Sequence, residues 1–278
     1  TQPDKPAGRG QISQSCPVKE LAITHGIPVL QPAKIRDEGF IKELAALKPE
    51  FIAVVAYGKI LPKAILSIPP KGCINLHASI LPKYRGAAPI NWAIINGENE
   101  TGACTMLLDE GMDTGPVYFC EKTLIDPNET AEDLARRLSF LGAGLLARTI
   151  GLLLENGLKP TPQEHEKATN APILKKEDGR INWGNDARKI ADHVRGFYPW
   201  PGAFTTWKSL LKIHKGRLVE GLSHNEKPGT IIEAKDTIRV ACATGAYEIT
   251  ELQPENKKRM SAADFVKGYR IQKGDSLG

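Results

Sequence analysis

Phe51-Ile52-Ala53-Val54-Val55-Ala56 and, after a short interval, Cys73-Ile74-Asn75-Leu76-His77 are the two stretches that decide the fold. The first is rich in β-branched residues, almost unbroken by polar ones and stopped by Gly58, the pattern of a parallel strand covered on both faces. The second follows the turn signal Ile68-Pro69-Pro70-Lys71-Gly72 and reads as the next strand. Ala103-Cys104-Thr105-Met106-Leu107-Leu108 and Val117-Tyr118-Phe119-Cys120 read as two more, around a Gly-rich turn. Helical patterns occupy 40–47, 88–96 and 130–155, the last with Thr130 as N-cap and Asp133 three residues on. Strands alternating with helices predict an α/β class with a doubly wound, mostly parallel sheet. Ligands of such sheets lie beyond the carboxyl ends of the strands, which is where Asn75 and His77 fall.

Outward from this region the pattern changes. Residues 161–178 are polar, contain proline and show no sustained apolar period, so they read as a linker. Beyond it comes one helix over 187–197, then short strand-like runs such as Thr230-Ile231-Ile232 and Ile238-Arg239-Val240-Ala241, punctuated by glycine. These predict a small open β-barrel of the OB-like kind. The expected division is therefore 1–160, an α/β domain; 161–178, the linker; and 179–278, the barrel.

The bulk composition narrows the class. Of 278 residues, 41% are hydrophobic and 25% charged, which is ordinary for a globular protein. No uninterrupted apolar run approaches the ~18 residues of a membrane helix, so no membrane span is expected. The five cysteines, Cys16, Cys73, Cys104, Cys120 and Cys242, show no CxxC spacing and read as small buried residues of a reducing compartment. Charge is uneven: residues 179–278 carry 17 Lys and Arg against 11 Asp and Glu, net +6, while residues 1–178 are net −1. A basic segment of this kind fits a nucleic-acid footprint, because phosphate contacts release counterions. On charge alone it fits a solvated surface equally well.

The chemistry is concentrated in Asn75-Leu76-His77-Ala78-Ser79-Ile80-Leu81-Pro82-Lys83-Tyr84-Arg85-Gly86-Ala87-Ala88-Pro89-Ile90 and, downstream, Asp109-Glu110-Gly111-Met112-Asp113-Thr114-Gly115-Pro116. Residues two apart in a strand share a face, so the Asn75 amide and the His77 imidazole converge on one substrate atom. A carboxylate on a Gly-flanked loop can orient that imidazole. Such a set suits acyl transfer to an amine: fixed donors meet the developing oxyanion, a base accepts the amine proton, and no Ser or Cys nucleophile is needed. Taken singly, each residue has a plainer reading, since histidines end strands, asparagines cap, and an Asp among glycines forms turns.

Together these two stretches resemble the signature of the folate-dependent formyltransferase superfamily. The resemblance implies Asn75, His77 and Asp113 as the catalytic set, and Ser79-Ile80-Leu81-Pro82 as the counterpart of a Ser-Leu-Leu-Pro segment that binds tetrahydrofolate. The one difference, Ile for Leu at position 80, nearly conserves volume. Within the superfamily, three features are similar to the methionyl-tRNA formyltransferase family. They are the basic opening Thr1-Gln2-Pro3-Asp4-Lys5-Pro6-Ala7-Gly8-Arg9-Gly10, the run Phe197-Tyr198-Pro199-Trp200-Pro201-Gly202-Ala203 with Pro228-Gly229-Thr230-Ile231, and the closing Gln253-Pro254 through Lys257-Lys258-Arg259-Met260-Ser261-Ala262.

That resemblance implies 10-formyltetrahydrofolate as donor, no metal, and initiator methionyl-tRNA as partner of a monomer in the cytoplasm or an organelle matrix. Candidate tRNA contacts are Lys5, Arg9, Lys208, Lys212, Lys215, Arg217, Lys257, Lys258 and Arg259. Two other readings are a sugar-nucleotide formyltransferase, which would share much of the tail, and an inactive RNA-binding remnant. The latter arises because the strand-helix-strand unit that opens family members has no counterpart before residue 1. On that reading the 278-residue chain is expected to be less stable than a longer one.

Overall fold

Sequence periodicity sets the elements, and the computed structural model describes residues 1–7, 12–155 and 157–278. The chain divides into two units: Thr1–His77 with Cys104–Phe119 and Leu145–His165, and Ala78–Ala103 with Cys120–Gly144 and Glu166–Gly278.

The first unit begins with the antiparallel pair β1 (Lys5–Ala7) and β2 (Ile12–Gln14), then α1 (Pro17–Thr24) and α2 (Glu38–Ala46). Asp37 caps α2 by accepting from the Phe40 amide at 3.0 Å. The apolar run at 51–56 becomes β3 (Ile52–Val55), and a single turn, α3 (Lys63–Leu66), leads into β4 (Cys73–His77). β3 and β4 pair in parallel, with Ile52 opposite Cys73 and Val55 opposite Leu76. Two-residue β5 (Arg85–Gly86) and α4 (Pro89–Ile95) precede β6 (Glu100–Leu107) and β7 (Val117–Leu124). The sheet order is β3-β4-β6-β7. β6 runs antiparallel to β4, placing His77 opposite Cys104 and Asn75 opposite Met106. The sheet is therefore mixed, where the strand and helix alternation predicted a mostly parallel one. β6 and β7 are joined by the Gly-rich loop 108–116, too short for the crossover that a parallel pair requires, whereas the stretch 78–99 between β4 and β6 reads from the sequence as such a crossover.

α5 (Ala131–Leu154) is the long helix read from the sequence. Its start is a reciprocal cap: the Asp133 amide donates to Thr130 Oγ1 at 3.2 Å, and Asp133 Oδ2 accepts from the Thr130 amide at 3.1 Å and from its hydroxyl at 2.7 Å. Leu134, Leu138, Leu145, Thr149 and Leu153 form its buried stripe. Against β6, Thr149 donates to the Leu145 carbonyl and shares a 2.8 Å hydrogen bond with Thr105, so neither buried hydroxyl is orphaned. Among the described residues this one helix is long and apolar enough to cross a membrane by length and composition, with a mean hydropathy of 1.4 over eighteen residues. Scanning for uninterrupted apolar runs misses it, because Arg136, Arg137 and Arg148 break the sequence without lowering the average far.

The first unit also leaves apolar surface open. α1 and α2 bury none of their side chains, and Val18, Leu21, Ile23, Leu47, Val55 and Ile60 are each more than half exposed.

In the second unit, β5 pairs in parallel with β8 (Asn170–Ala171), and α6 (Ala187–Gly196) packs on α4. Asp186 caps α6 through the Lys189 amide. Arg195 at its other end holds the Asp192 carboxylate at 2.9 Å and donates to the Asp126 and Glu129 carbonyls. Then come β9 (Ala203–Trp207), β10 (Ser209–Val219), β11 (Ile231–Ala234), β12 (Ile238–Ala241), β13 (Ala246–Pro254), β14 (Met260–Ser261) and α7 (Ala262–Tyr269). The antiparallel order is β11-β12-β13-β10-β9, with β14 on β13. β10 bends at a register shift around Lys215 and Gly216, and a Cβ at Gly216 would collide with the Glu248 carbonyl and the Tyr247 ring. One core fills the curved sheet, including Leu211, Ile213, Ile231, Ile238, Val240, Tyr247, Ile249, Leu252 and Phe265. The final residues lie across the gap between its outer strands: Leu277 donates to the Gly229 carbonyl, Ile231 to Asp275, and Gly278 to Thr206 on β9.

The cysteines depart in part from expectation. Cys16, Cys73 and Cys242 are free thiols, whereas Cys104 on β6 and Cys120 on β7 are disulfide-bonded. The sequence conceals this because neither cysteine lies in a CxxC spacing.

Candidate active site

The carboxyl end of β4 presents the site. Strand alternation places Asn75 and His77 on one face, with His77 buried and Asn75 half-buried. On the loop between β6 and β7, Asp109 accepts at one carboxylate oxygen from the Gly111 amide at 3.0 Å and the Thr114 hydroxyl at 2.7 Å, folding the loop on itself. Gly115 must be glycine, since a Cβ there would meet the Leu107 carbonyl. The turn leaves Asp113 in the left-handed region, φ 54°, which Asp tolerates better than most residues. Its Oδ2 then lies 3.6 Å from His77 Nδ1, with side-chain exposures of only 15% and 6%. This is ion-pair range, slightly beyond a hydrogen bond, in a setting that screens charge weakly. The structure thus brings His77 and Asp113 together, with Asn75 on the same strand face as His77.

Ser79, Ile80, Leu81 and Pro82 form the turn that follows. Ser79 is fully buried and donates to the Lys83 carbonyl at 2.6 Å, and the Lys83 amide donates to the Ile80 carbonyl. The serine hydroxyl is thereby engaged in shaping the turn, with Leu81 buried and Ile80 and Pro82 half-buried. Tyr84, further along the motif, donates to Glu98 at 2.9 Å, and burial first, with that carboxylate beside it, pushes the phenol up to about 12.

The basic candidates divide. Lys208, at the β9–β10 turn, lies 4.2 Å over the Trp207 ring, and Lys212 is exposed on β10. Lys215 lies 3.9 Å from Glu251, Arg217 is paired with Glu248 at 2.6 Å, and Arg259 is paired with Glu251. Arg217 and Arg239 converge on Glu248, which is almost fully buried. Burial would raise this carboxyl, but the hydrogen bonds from the two arginines outweigh it and hold the group below its usual range. Lys257 and Lys258 are exposed on the turn between β13 and β14. Arg9 lies outside the described residues, as does the side chain of Lys5. Sequence reading missed Gln163, in the stretch taken as linker: its amide donates to the carbonyls of Asp113 and Gly115. A lone amide in an irregular segment leaves no periodic signal.

Residues 1–150 match the family described as formyl transferase, and residues 173–270 the formyl transferase C-terminal domain. The methionyl-tRNA formyltransferase of Thermodesulfovibrio yellowstonii is 51% identical over 275 residues, 99% of this chain and 88% of the relative. Among solved structures, an N-formyltransferase from Helicobacter canadensis, described as a complex with folinic acid and dTDP-3-aminofucose, superposes with a TM-score of 0.69. It is 19% identical and covers 92% of this chain and 86% of its own. The methionyl-tRNA formyltransferase of Clostridium thermocellum gives 0.56 at 23% identity, over 73% of this chain and 88% of its own. The structural likenesses, at these identities, establish the fold, and the sugar-specific enzyme is far more distant in sequence than the tRNA-specific relative. The chain belongs to the methionyl-tRNA formyltransferases, which transfer the formyl group of 10-formyltetrahydrofolate to the amino group of methionyl-tRNA.

Proposed function

We propose that Asn75, His77 and Asp113 carry this transfer on initiator methionyl-tRNA. The observation behind the assignment is the 3.6 Å approach of the Asp113 carboxylate to His77 Nδ1, nearly out of solvent, at the end of the strand that also carries Asn75. 10-Formyltetrahydrofolate supplies an activated carbonyl carbon. The Ser79-Ile80-Leu81-Pro82 turn fits its pterin as a shaped, largely apolar ledge. The amine of methionine attacks the formyl carbon and charge develops on the formyl oxygen; the tetrahedral adduct then collapses, the carbon–N10 bond breaks, and tetrahydrofolate leaves with N10 taking a proton. The Asn75 amide and the His77 ring stabilise that oxygen as fixed donors. Asp113 assigns His77 Nδ1 to the carboxylate and Nε2 to the reaction, and helps remove the amine proton.

In this reading residues 1–160 perform the chemistry, 161–178 connect, and 179–278 form a basic surface for tRNA. Lys208, Lys212, Lys257 and Lys258 are the stronger phosphate contacts there, because Lys215, Arg217 and Arg259 already face glutamates. The enzyme acts as a monomer in the cytoplasm or an organelle matrix, with the apolar stripe of α5 serving a protein core rather than lipid.

The test is turnover on charged initiator tRNA. Asn75→Ala and His77→Ala should each lower kcat by ~10² to 10³ while tRNA affinity stays within about twofold. Parental turnover in either variant removes that residue from the mechanism. An enzyme that ignores charged tRNA but formylates a nucleotide amino-sugar would overturn the partner.

A further inference from the structure

Lys159-Pro160-Thr161-Pro162-Gln163 lies in the irregular stretch after α5. A residue preceding proline is held extended, and Thr161 uses this conformation to pair with Val117 in both directions: its amide donates to the Val117 carbonyl at 2.7 Å, and Val117 donates back at 2.8 Å. The stretch is thus fixed to the start of β7, just past the loop that carries Asp113. Two residues further on, Gln163 Nε2 donates to the Asp113 carbonyl at 3.0 Å and to the Gly115 carbonyl at 2.6 Å. A primary amide has two hydrogens, so one side chain ties both carbonyls flanking Thr114. The loop is held from its other end by Asp109. Between these ties sits Asp113, in the left-handed conformation that a non-glycine residue keeps only when its surroundings fix it.

From this arrangement we infer that Gln163 is a positioning residue for the transfer reaction, fixing the Asp113 backbone so that its carboxylate meets His77. The inference rests on the reading of Asp113 as the partner of His77. Gln163 acts through the backbone of Asp113, and its effect falls on the chemical step rather than on binding.

Formyl transfer by the full chain carrying Gln163→Met, Gln163→Glu or Asp113→Asn separates the possibilities, with each melting temperature measured alongside. Gln163→Met keeps bulk and removes both donors; kcat should fall about 10- to 100-fold, as expected for small misplacement of a catalytic group, with KM for methionyl-tRNA nearly unchanged. Gln163→Glu should fall further, because a carboxylate would face two carbonyl oxygens. Should Gln163→Met fail to fold, Gln163→Asn, one methylene shorter, carries the same expectation of lowered kcat at parental KM. A folded Met or Asn variant with parental kcat, beside an inactive Asp113→Asn, overturns the inference and leaves the site reading standing. A variant whose melting temperature drops while kcat per folded enzyme stays parental overturns it too. An Asp113→Asn enzyme with parental kcat overturns the site reading and this inference with it.

Discussion

His193 shows how one side chain can tie stability to pH. It is half-buried on α6, its Nε2 lies 3.1 Å from the Gly179 carbonyl, and its ring meets Phe197 edge-on at 4.6 Å. Burial lowers its affinity for a proton, outweighing the Gly179 bond and nearby Asp178. In the unfolded chain the imidazole titrates near its ordinary value of about 6.5. Above that pH both states are neutral and stability is full; below it the unfolded chain takes up the proton first, so stability falls as pH falls toward the lower folded value. His214 is shifted the same way, first by burial. The melting temperature should therefore decline between about pH 7 and pH 5, and His193→Gln should flatten its part of the decline. A Gln variant with the parental slope would show that His193 contributes none of it.

At the scale of elements, the cap of α5 and the turn after β13 each carry a separable expectation. Thr130→Ala removes an oxygen that accepts the Asp133 amide and should cost about 1 kcal/mol, read as a lower urea midpoint at unchanged slope. An unchanged midpoint would mean that Asp133 and water satisfy the helix end unaided. Replacing Lys257, Lys258 and Arg259 together by Ala should weaken tRNA binding and flatten its dependence on salt, the slope falling by roughly one for every phosphate no longer neutralised. Affinity for the formyl donor should not move. Because Arg259 is paired with Glu251, most of the effect should persist in the Lys257 and Lys258 double variant, and an unchanged salt slope there would clear this turn of the role.

Elements of this kind also show what a sequence discloses. β3, β4, β6 and α5 are legible because their apolar periods run without interruption, and strand alternation alone puts Asn75 and His77 on one face. β10 is harder to read: lysines, a histidine and Gly216 interrupt it, and its bend resets the alternation midway. β6 runs against β4 although the stretch 78–99 between them, with its helix, reads from composition as a parallel crossover. Asp113 is visible as an acid among glycines, but its approach to His77 depends on a backbone turn fixed by distant residues.

For the molecule as a whole, the unevenly covered first unit makes its own prediction. Val18, Leu21, Ile23, Val55 and Ile60 are apolar and mostly exposed, and exposed apolar surface attracts apolar dyes and other chains. The 278-residue polypeptide should enhance ANS fluorescence under native conditions, and Val55→Lys with Leu21→Lys should reduce the signal. Fluorescence no greater than that of a fully covered protein would mean these side chains find cover in solution. The second unit makes the opposite demand, since its closure needs a segment made after all of its strands. Residues 274–278 join Thr206 on β9 to Ile231 on β11 and to Gly229 just before it, so a nascent chain that stops short of them cannot seal the barrel. During synthesis the basic sheet should stay ajar until these residues clear the ribosome.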